Sequence, residues 1–323
     1  MVFNRMTILI ILFLILCSSH SSSYTYEYAR QYFNKTLMIV AYNFKPPVKN
    51  IINHYNIWKD IFPNQFIVGH YDHIEQNIII NELRLHISNN TKNLHIASAI
   101  KYDLEPGFLN YKILYYAISQ LQEYDGYLFL HDDMAINMTK LLNLNLDRKK
   151  IWQETWTGTL GTTPMKTSFD KVSWSNKGVN MGYPWFNSKW GISAINKLID
   201  SNHDIKSILK TCSGNNSEGY DLHVCESDFI YFPGSIAHEL KKTVKLFADY
   251  EVFLEIAIPT IVTCWFPHVE KIYLLLCTYW DDRYNYRLYE EQCKQEILYH
   301  PLKFSSPGGM ELMQKLSTLE GTR

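Results

Sequence analysis

The segment Tyr127-Leu128-Phe129-Leu130-His131-Asp132-Asp133 constrains this chain more than any other. Four apolar residues in an unbroken run predict a strand covered on both faces, as at the centre of a parallel α/β sheet. Asp125-Gly126 just before it is turn chemistry and sets the start of the strand. Two adjacent carboxylates follow. In open α/β sheets ligands bind beyond the carboxyl ends of the strands, and hard cations that bridge substrate phosphates take one or two carboxylates there. The competing reading is that Asp132 and Asp133 only cap the next turn or helix.

The flanking sequence supports an α/β arrangement. Apolar runs at residues 37–42, 66–69 and 94–97 read as further strands, with helical spacing over 51–61 and 108–121, the second opened by Pro106. Strand and helix thus alternate through the first half, which predicts a mostly parallel sheet with crossover helices. The second half differs. Residues 151–190 are rich in Trp, Gly, Thr and Pro, helical patterns follow at 192–199 and 205–209, and 227–233 reads as a strand ending at Pro233. A helix is expected over 249–257, stopping before Pro259. The main domain spans 35–305, and 306–323 reads as a polar, loose tail.

Arg5 precedes an apolar stretch from Ile8 to Leu16, after which the chain turns polar at Cys17-Ser18-Ser19. Such a stretch is short for a membrane span of about 20 residues. Residues 1–23 therefore read as a signal peptide or a short signal anchor, and either one predicts a secretory-pathway, ER or Golgi lumenal, or secreted destination. Sequons at Asn34, Asn89, Asn137 and Asn215 agree with that compartment. So does a Cys212–Cys225 disulfide closing the loop between them. The spacing of the cysteines disfavours zinc, and Cys264, beside Trp265 and Phe266, reads as core. With a net charge of −1 over 323 residues and no polybasic run, nucleic acid is an unsuitable partner.

With Gly126-Tyr127-Leu128-Phe129-Leu130-His131-Asp132-Asp133-Met134 and the downstream Leu254-Glu255-Ile256-Ala257-Ile258-Pro259-Thr260, the chain resembles the GT-A fold glycosyltransferases. In wording it is nearest to the STELLO-like glycosyltransferases. The resemblance implies a GT-A-like (Rossmann-like) sheet with flanking helices and an aromatic-rich acceptor half. It also implies a metal-dependent enzyme moving sugar from a nucleotide-diphosphate donor to a glycan, glycolipid or glycoprotein acceptor. In that family the strand ends in an Asp-x-Asp motif whose last carboxylate binds Mn²⁺ or Mg²⁺. Here His131 takes the first place, which puts catalysis in doubt and leaves Asp133 as the implied metal ligand. Asp132 would face the ribose or share the metal through water. His300 and Lys303 in Tyr299-His300-Pro301-Leu302-Lys303 are similar to the late His that completes the metal shell and the Lys that reaches the diphosphate, although His300 also reads as a plain loop histidine. Tyr42 and Asn43, after the first strand, lie where the family holds the base.

Other residues follow from the chemistry itself. An inverting transfer needs a carboxylate near the acceptor hydroxyl; Glu226, Asp228 and Glu255 are candidates, with Asp228 preferred because it opens an apolar strand. Glu251 and Glu255, four apart, could equally form a solvated helix face. Lys112 could reach a phosphate or be a surface lysine. Tyr183, Trp185 and Trp190 could stack on an acceptor sugar or merely cover the sheet. The alternative function is a lumenal or secreted glycan-binding module of the same ancestry without catalysis. A glycoside hydrolase needs two carboxylates about 5 to 9.5 Å apart across a sugar, which adjacent Asp132 and Asp133 do not supply.

Overall fold

The computed structural model describes residues 25–42, 46–70, 72–86, 93–98, 109–121, 124–156, 165–169, 188–213, 220–224, 227–278, 285–303 and 306–319. The apolar runs are the parallel strands β1 (Thr36–Ala41), β2 (Asn64–Gly69), β3 (Leu94–Ser98) and β4 (Gly126–His131). Between and before them lie α1 (Tyr26–Tyr32), α2 (Val48–Trp58), α3 (His73–His86) and α4 (Lys112–Gln120). Every residue of β1, β2 and β4 is buried, as expected of strands covered on both faces. Leu37, Ile39 and Phe129 pack to one face with Ile113 and Leu114 of α4. Met38, Val40 and Leu128 pack to the other with Ile51 and Trp58 of α2. The period of two thus sends alternate residues of one strand into two cores.

The rest of the chain supplies β5 (Ala135–Ile136), α5 (Met138–Asn143), β6 (Ile151–Trp156) and β7 (Met165–Phe169), followed by α6 (Ile192–Ser201), α7 (His203–Ser213), β8 (Tyr220–Val224) and β9 (Phe229–Pro233). It ends with α8 (Ala237–Asp249), α9 (Leu254–Cys264), β10 (Lys271–Thr278), α10 (Tyr286–Gln292), β11 (Leu298–His300) and α11 (Pro307–Ser317). Among the described residues one sheet has nine strands in the order β3-β2-β1-β4-β9-β6-β10-β11-β5, while β7 and β8 form a separate pair. Five of the eight neighbour pairs in that sheet are parallel; β9 runs antiparallel to both β4 and β6. The α/β, mostly parallel architecture expected from the sequence is present.

One topological detail positions everything that follows. Only residues 132–134 separate β4 from β5, yet four strands stand between them in the sheet order. Strands in a flat sheet lie about 4.8 Å apart, so five steps need roughly 24 Å. Four Cα–Cα links reach about 15 Å at most. The sheet therefore curls, and its last strands, β11 and β5, return to the carboxyl end of β4.

Several expectations are corrected. The helix placed at 249–257 is instead two helices: α8 ends at Asp249, and α9 continues through Pro259 to Cys264. An interior proline costs about 3 kcal/mol, but Leu254 and every residue from Ile256 to Val262 are buried. Each large apolar side chain among them contributes about 1.5–3 kcal/mol, so burial wins. Glu251 lies in the turn before α9 at φ 57°, so it shares no helix face with Glu255. The tail expected to be loose forms α11, capped by the Ser306 hydroxyl and buried through Leu312, Met313 and Leu316. Cys212 pairs with Cys264 rather than Cys225, because the last turns of α7 and α9 bring their Cα atoms to 5.2 Å. A second disulfide joins Cys277 and Cys293. No helix among the described residues is long and apolar enough to cross a membrane; residues 1–23 lie outside them.

Candidate active site

His131 ends β4, and residues 131–134 form a turn closed by Met134 N–H donating to the His131 carbonyl at 3.1 Å. The turn is anchored on two further sides. Asp132 N–H donates to the Ala41 carbonyl at 3.1 Å, and the Asp133 carbonyl accepts from Leu302 N–H at 2.7 Å. The second bond is a product of the curl: it ties the segment after β11 to the end of β4. The backbone carbonyls of His300 and Pro301, joined by a cis peptide, accept from the buried Tyr289 hydroxyl. His300 is thereby held at the strand end.

The result is a buried chain of charged groups. Lys303 Nζ donates to Asp133 Oδ2 at 2.7 Å. His300 Nε2 lies 3.3 Å from Asp133 Oδ1, and His300 Nδ1 lies 3.5 Å from Asp228 Oδ2. Asp228 Oδ1 contacts His131 Nδ1. Asp228 is fixed through its own N–H, which donates to Glu154 Oε1 of β6 at 2.7 Å, and through its carbonyl, which accepts from His131 N–H. All five of His131, Asp132, Asp133, Asp228 and His300 are buried, as is Glu154, while the Lys303 side chain is 26% exposed.

Burial works against every charge here, and the neighbours decide the outcome. Burial alone would raise the Asp133 carboxyl; the His300 ring and the Lys303 ammonium outweigh it and hold the group well below the usual carboxylate range. Asp228 is pushed up by burial and by Asp133, but His300 and His131 bring it below its ordinary value. For His131, burial favours the neutral ring, yet Asp228, with Asp133 and Asp132 behind it, raises its pKa. The histidine that breaks the Asp-x-Asp pattern therefore counterbalances a buried carboxylate.

Asp133 and His300 are suited to a divalent cation. Asp133 Oδ1 is buried, and a carboxylate oxygen out of water needs a positive or ligand-type partner beside it. It faces His300 Nε2 at 3.3 Å, close to the roughly 3 Å that separates adjacent ligands on a six-coordinate ion with bonds of about 2.1 Å. Two protein ligands leave further positions for phosphate oxygens and water, the usual pattern where a cation is shared with a substrate. A second crowding of ligand-type groups, Cys212, His223 and Cys264, is different: its two sulfurs are bonded to each other, which leaves no thiolate for a metal.

The fold thus brings Asp132, Asp133, His300, Lys303 and Asp228 together, and it places the other described candidates on other elements. Tyr42 is buried with its hydroxyl 3.0 Å from His54 Nδ1 and 3.4 Å from the Asn50 carbonyl, so it is committed to α2 rather than turned outward to a base. Lys112 opens α4 and makes no bond to the acidic residues. Glu255 sits in the first turn of α9, in the layer with α8 and β8. Trp190 packs against the core, with Lys189 Nζ 4.5 Å from its ring centre. Asn43, Tyr183, Trp185 and Glu226 lie outside the described residues. Sequence reasoning missed Glu154; its signal was a Gln-Glu pair inside the aromatic strand Ile151–Trp156.

No family model matches the chain, and no curated protein does. Among solved structures it is similar to glucosyl-3-phosphoglycerate synthase from Mycobacterium tuberculosis in complex with Mn²⁺, UDP-glucose and phosphoglyceric acid. That match has 8% identity and a TM-score of 0.35, covering 80% of this chain and 76% of that one. The same enzyme with UDP matches at 9% identity and 0.35, covering 80% and 78%. A further mycobacterial protein matches at 8% and 0.32, covering 73% and 69%. At such values the functional reading rests on this chain's own residues.

Proposed function

We propose that the chain is a metal-dependent, GT-A-type glycosyltransferase that takes a sugar from a nucleotide-diphosphate donor. The observation that carries this reading is the pairing of Asp133 Oδ1 with His300 Nε2 at 3.3 Å, with Lys303 on the other carboxylate oxygen, at the carboxyl end of a central strand. Asp133 and His300 would hold Mn²⁺ or Mg²⁺, which as a Lewis acid stabilises the charge developing on a departing diphosphate. Lys303, partly exposed, is the cation placed to meet a phosphate oxygen. The Leu302–Asp133 backbone bond keeps both segments in register, so the groups are positioned before any donor arrives. The wording of the motifs favours the STELLO-like group. The apolar N-terminal segment, the sequons and the two disulfides favour the secretory pathway, with a glycan, lipid or protein as acceptor.

A donor screen tests this directly. The protein is incubated with each nucleotide sugar, with and without Mn²⁺, and free nucleoside diphosphate is measured. The proposal expects Mn²⁺-dependent release from at least one donor, abolished by chelator. Glycan binding insensitive to chelator, with no release from any donor, would replace it with the binding-module reading.

A further inference from the structure

Asp228 reads from sequence as the base of the transfer, but its surroundings give it different work. Both carboxylate oxygens face histidine rings, Oδ1 towards His131 Nδ1 and Oδ2 towards His300 Nδ1. Its N–H is fixed by Glu154 and its carbonyl by His131 N–H. A general base must present an oxygen to the acceptor hydroxyl, and a side chain clamped between two rings does not. On His300 the two nitrogens are divided: Nδ1 faces Asp228, and Nε2 faces Asp133 Oδ1. In a neutral imidazole one nitrogen carries hydrogen and the other a lone pair. Histidines that ligate metals commonly donate the distal N–H to a carboxylate, which fixes tautomer and ring orientation.

We propose that Asp228 is a positioning residue of the metal site: it accepts a hydrogen bond from His300 Nδ1–H, so that the Nε2 lone pair points at the space beside Asp133 Oδ1. This rests on the metal-dependent reading above and deepens it. His131 then has a defined place. It sits on the far oxygen of Asp228 and holds the carboxylate from the side away from His300. The histidine in the first place of the acidic triplet is thus part of the apparatus that orients a ligand arriving from the other end of the curled sheet.

The test is a double-mutant cycle on Mn²⁺ affinity, read by electron paramagnetic resonance with the metal alone as probe. Asp133→Asn should abolish binding, and His300→Ala should weaken it strongly while leaving a Kd that can be measured at high Mn²⁺. Asp228→Asn should raise Kd about 10- to 100-fold, the range for outer-shell partners. Because Asp228 acts through His300, adding Asp228→Asn to His300→Ala should change Kd less than about twofold. His131→Gln alone should have a smaller effect than Asp228→Asn. Should Asp228→Asn fail to fold by circular dichroism, His131→Gln/Asp228→Asn removes the carboxylate together with the ring that engages it and should show the same loss. An unchanged Kd in Asp228→Asn with reduced turnover would return Asp228 to the role of base and overturn the inference. A full additional loss in the His300→Ala background would overturn it too. Unchanged Kd in Asp133→Asn would instead remove the metal site itself, and the positioning role with it.

Discussion

Two buried histidine sites, one behind β1 and one at the end of β4, show how differently one fold uses the same side chain. His54 is fully buried beside the Tyr42 hydroxyl, and burial alone takes its pKa down to about 3. His131 is as deeply buried, but carboxylates surround it and its pKa rises. The first histidine is a neutral core residue that joins α2 to the end of β1. The second belongs to a charge network at a strand end shared by three segments of chain. Burial is therefore no guide to function; the partners are.

The comparison can be broken most sharply at Asp133. Asp133→Asn removes the charge between His300 and Lys303 and should reduce Mn²⁺-dependent donor turnover by more than about 100-fold, beyond the loss expected for an outer-shell partner. Tyr42→Phe, in the neutral site, should leave turnover in saturating Mn²⁺ within about twofold. Its cost should appear in stability instead, about 1 kcal/mol by denaturant titration, the worth of one internal hydrogen bond.

The covalent ties bear on the frame that holds both sites. Cys212–Cys264 closes a separation of 52 residues and Cys277–Cys293 one of 16. Removing them should cost about 4 and about 3 kcal/mol respectively. Non-reducing peptide mapping should recover both linked pairs; a Cys212–Cys225 peptide would contradict the arrangement of α7 and α9.

Acid should act on the two sites over different ranges. The unfolded His54 takes a proton near pH 6.5 and the folded one only near pH 3. The unfolded state therefore binds more protons in between, and stability falls as pH drops through that window, by at most about 1.4 kcal/mol per pH unit. His70 and His95, also lowered by burial, act in the same direction. His131 acts oppositely: its folded pKa is raised, so its contribution is full below pH 6.5 and is lost as pH rises through the folded value. Asp133 and Asp228, both lowered, lose their contribution only as pH falls below about 3.8. His54→Gln should flatten the slope of denaturant stability between pH 6.5 and 4; an unchanged slope would mean that His54 is not held neutral.

Much of the frame was legible because its signals are local. The strands β1 and β4 announce themselves as uninterrupted apolar runs, β2 and β3 carry shorter apolar stretches, and the Asp132-Asp133 pair is conspicuous because it follows β4. The strand β6 was hidden by Gln153 and Glu154, which break its pattern, and α8 went unread although Leu240, Val244 and Phe247 recur at helical spacing. The grouping of His300 and Lys303 with Asp133 came only through resemblance. Its physical cause, the curl that returns β11 to the end of β4, depends on strand order, which no local pattern contains. For the same reason Asp228 looked like a base: the two rings that engage it come from residues 97 and 72 positions away in the chain.

The central claim is that Asp133 and His300 form a divalent-cation site for a nucleotide diphosphate. Calorimetric titration of wild type and Asp133→Asn with a panel of nucleoside diphosphates, with and without Mn²⁺, tests it most directly. The account predicts Mn²⁺-dependent binding of at least one nucleotide to wild type and none to a folded Asp133→Asn. Equal affinity in the two proteins, or binding indifferent to Mn²⁺, would contradict it.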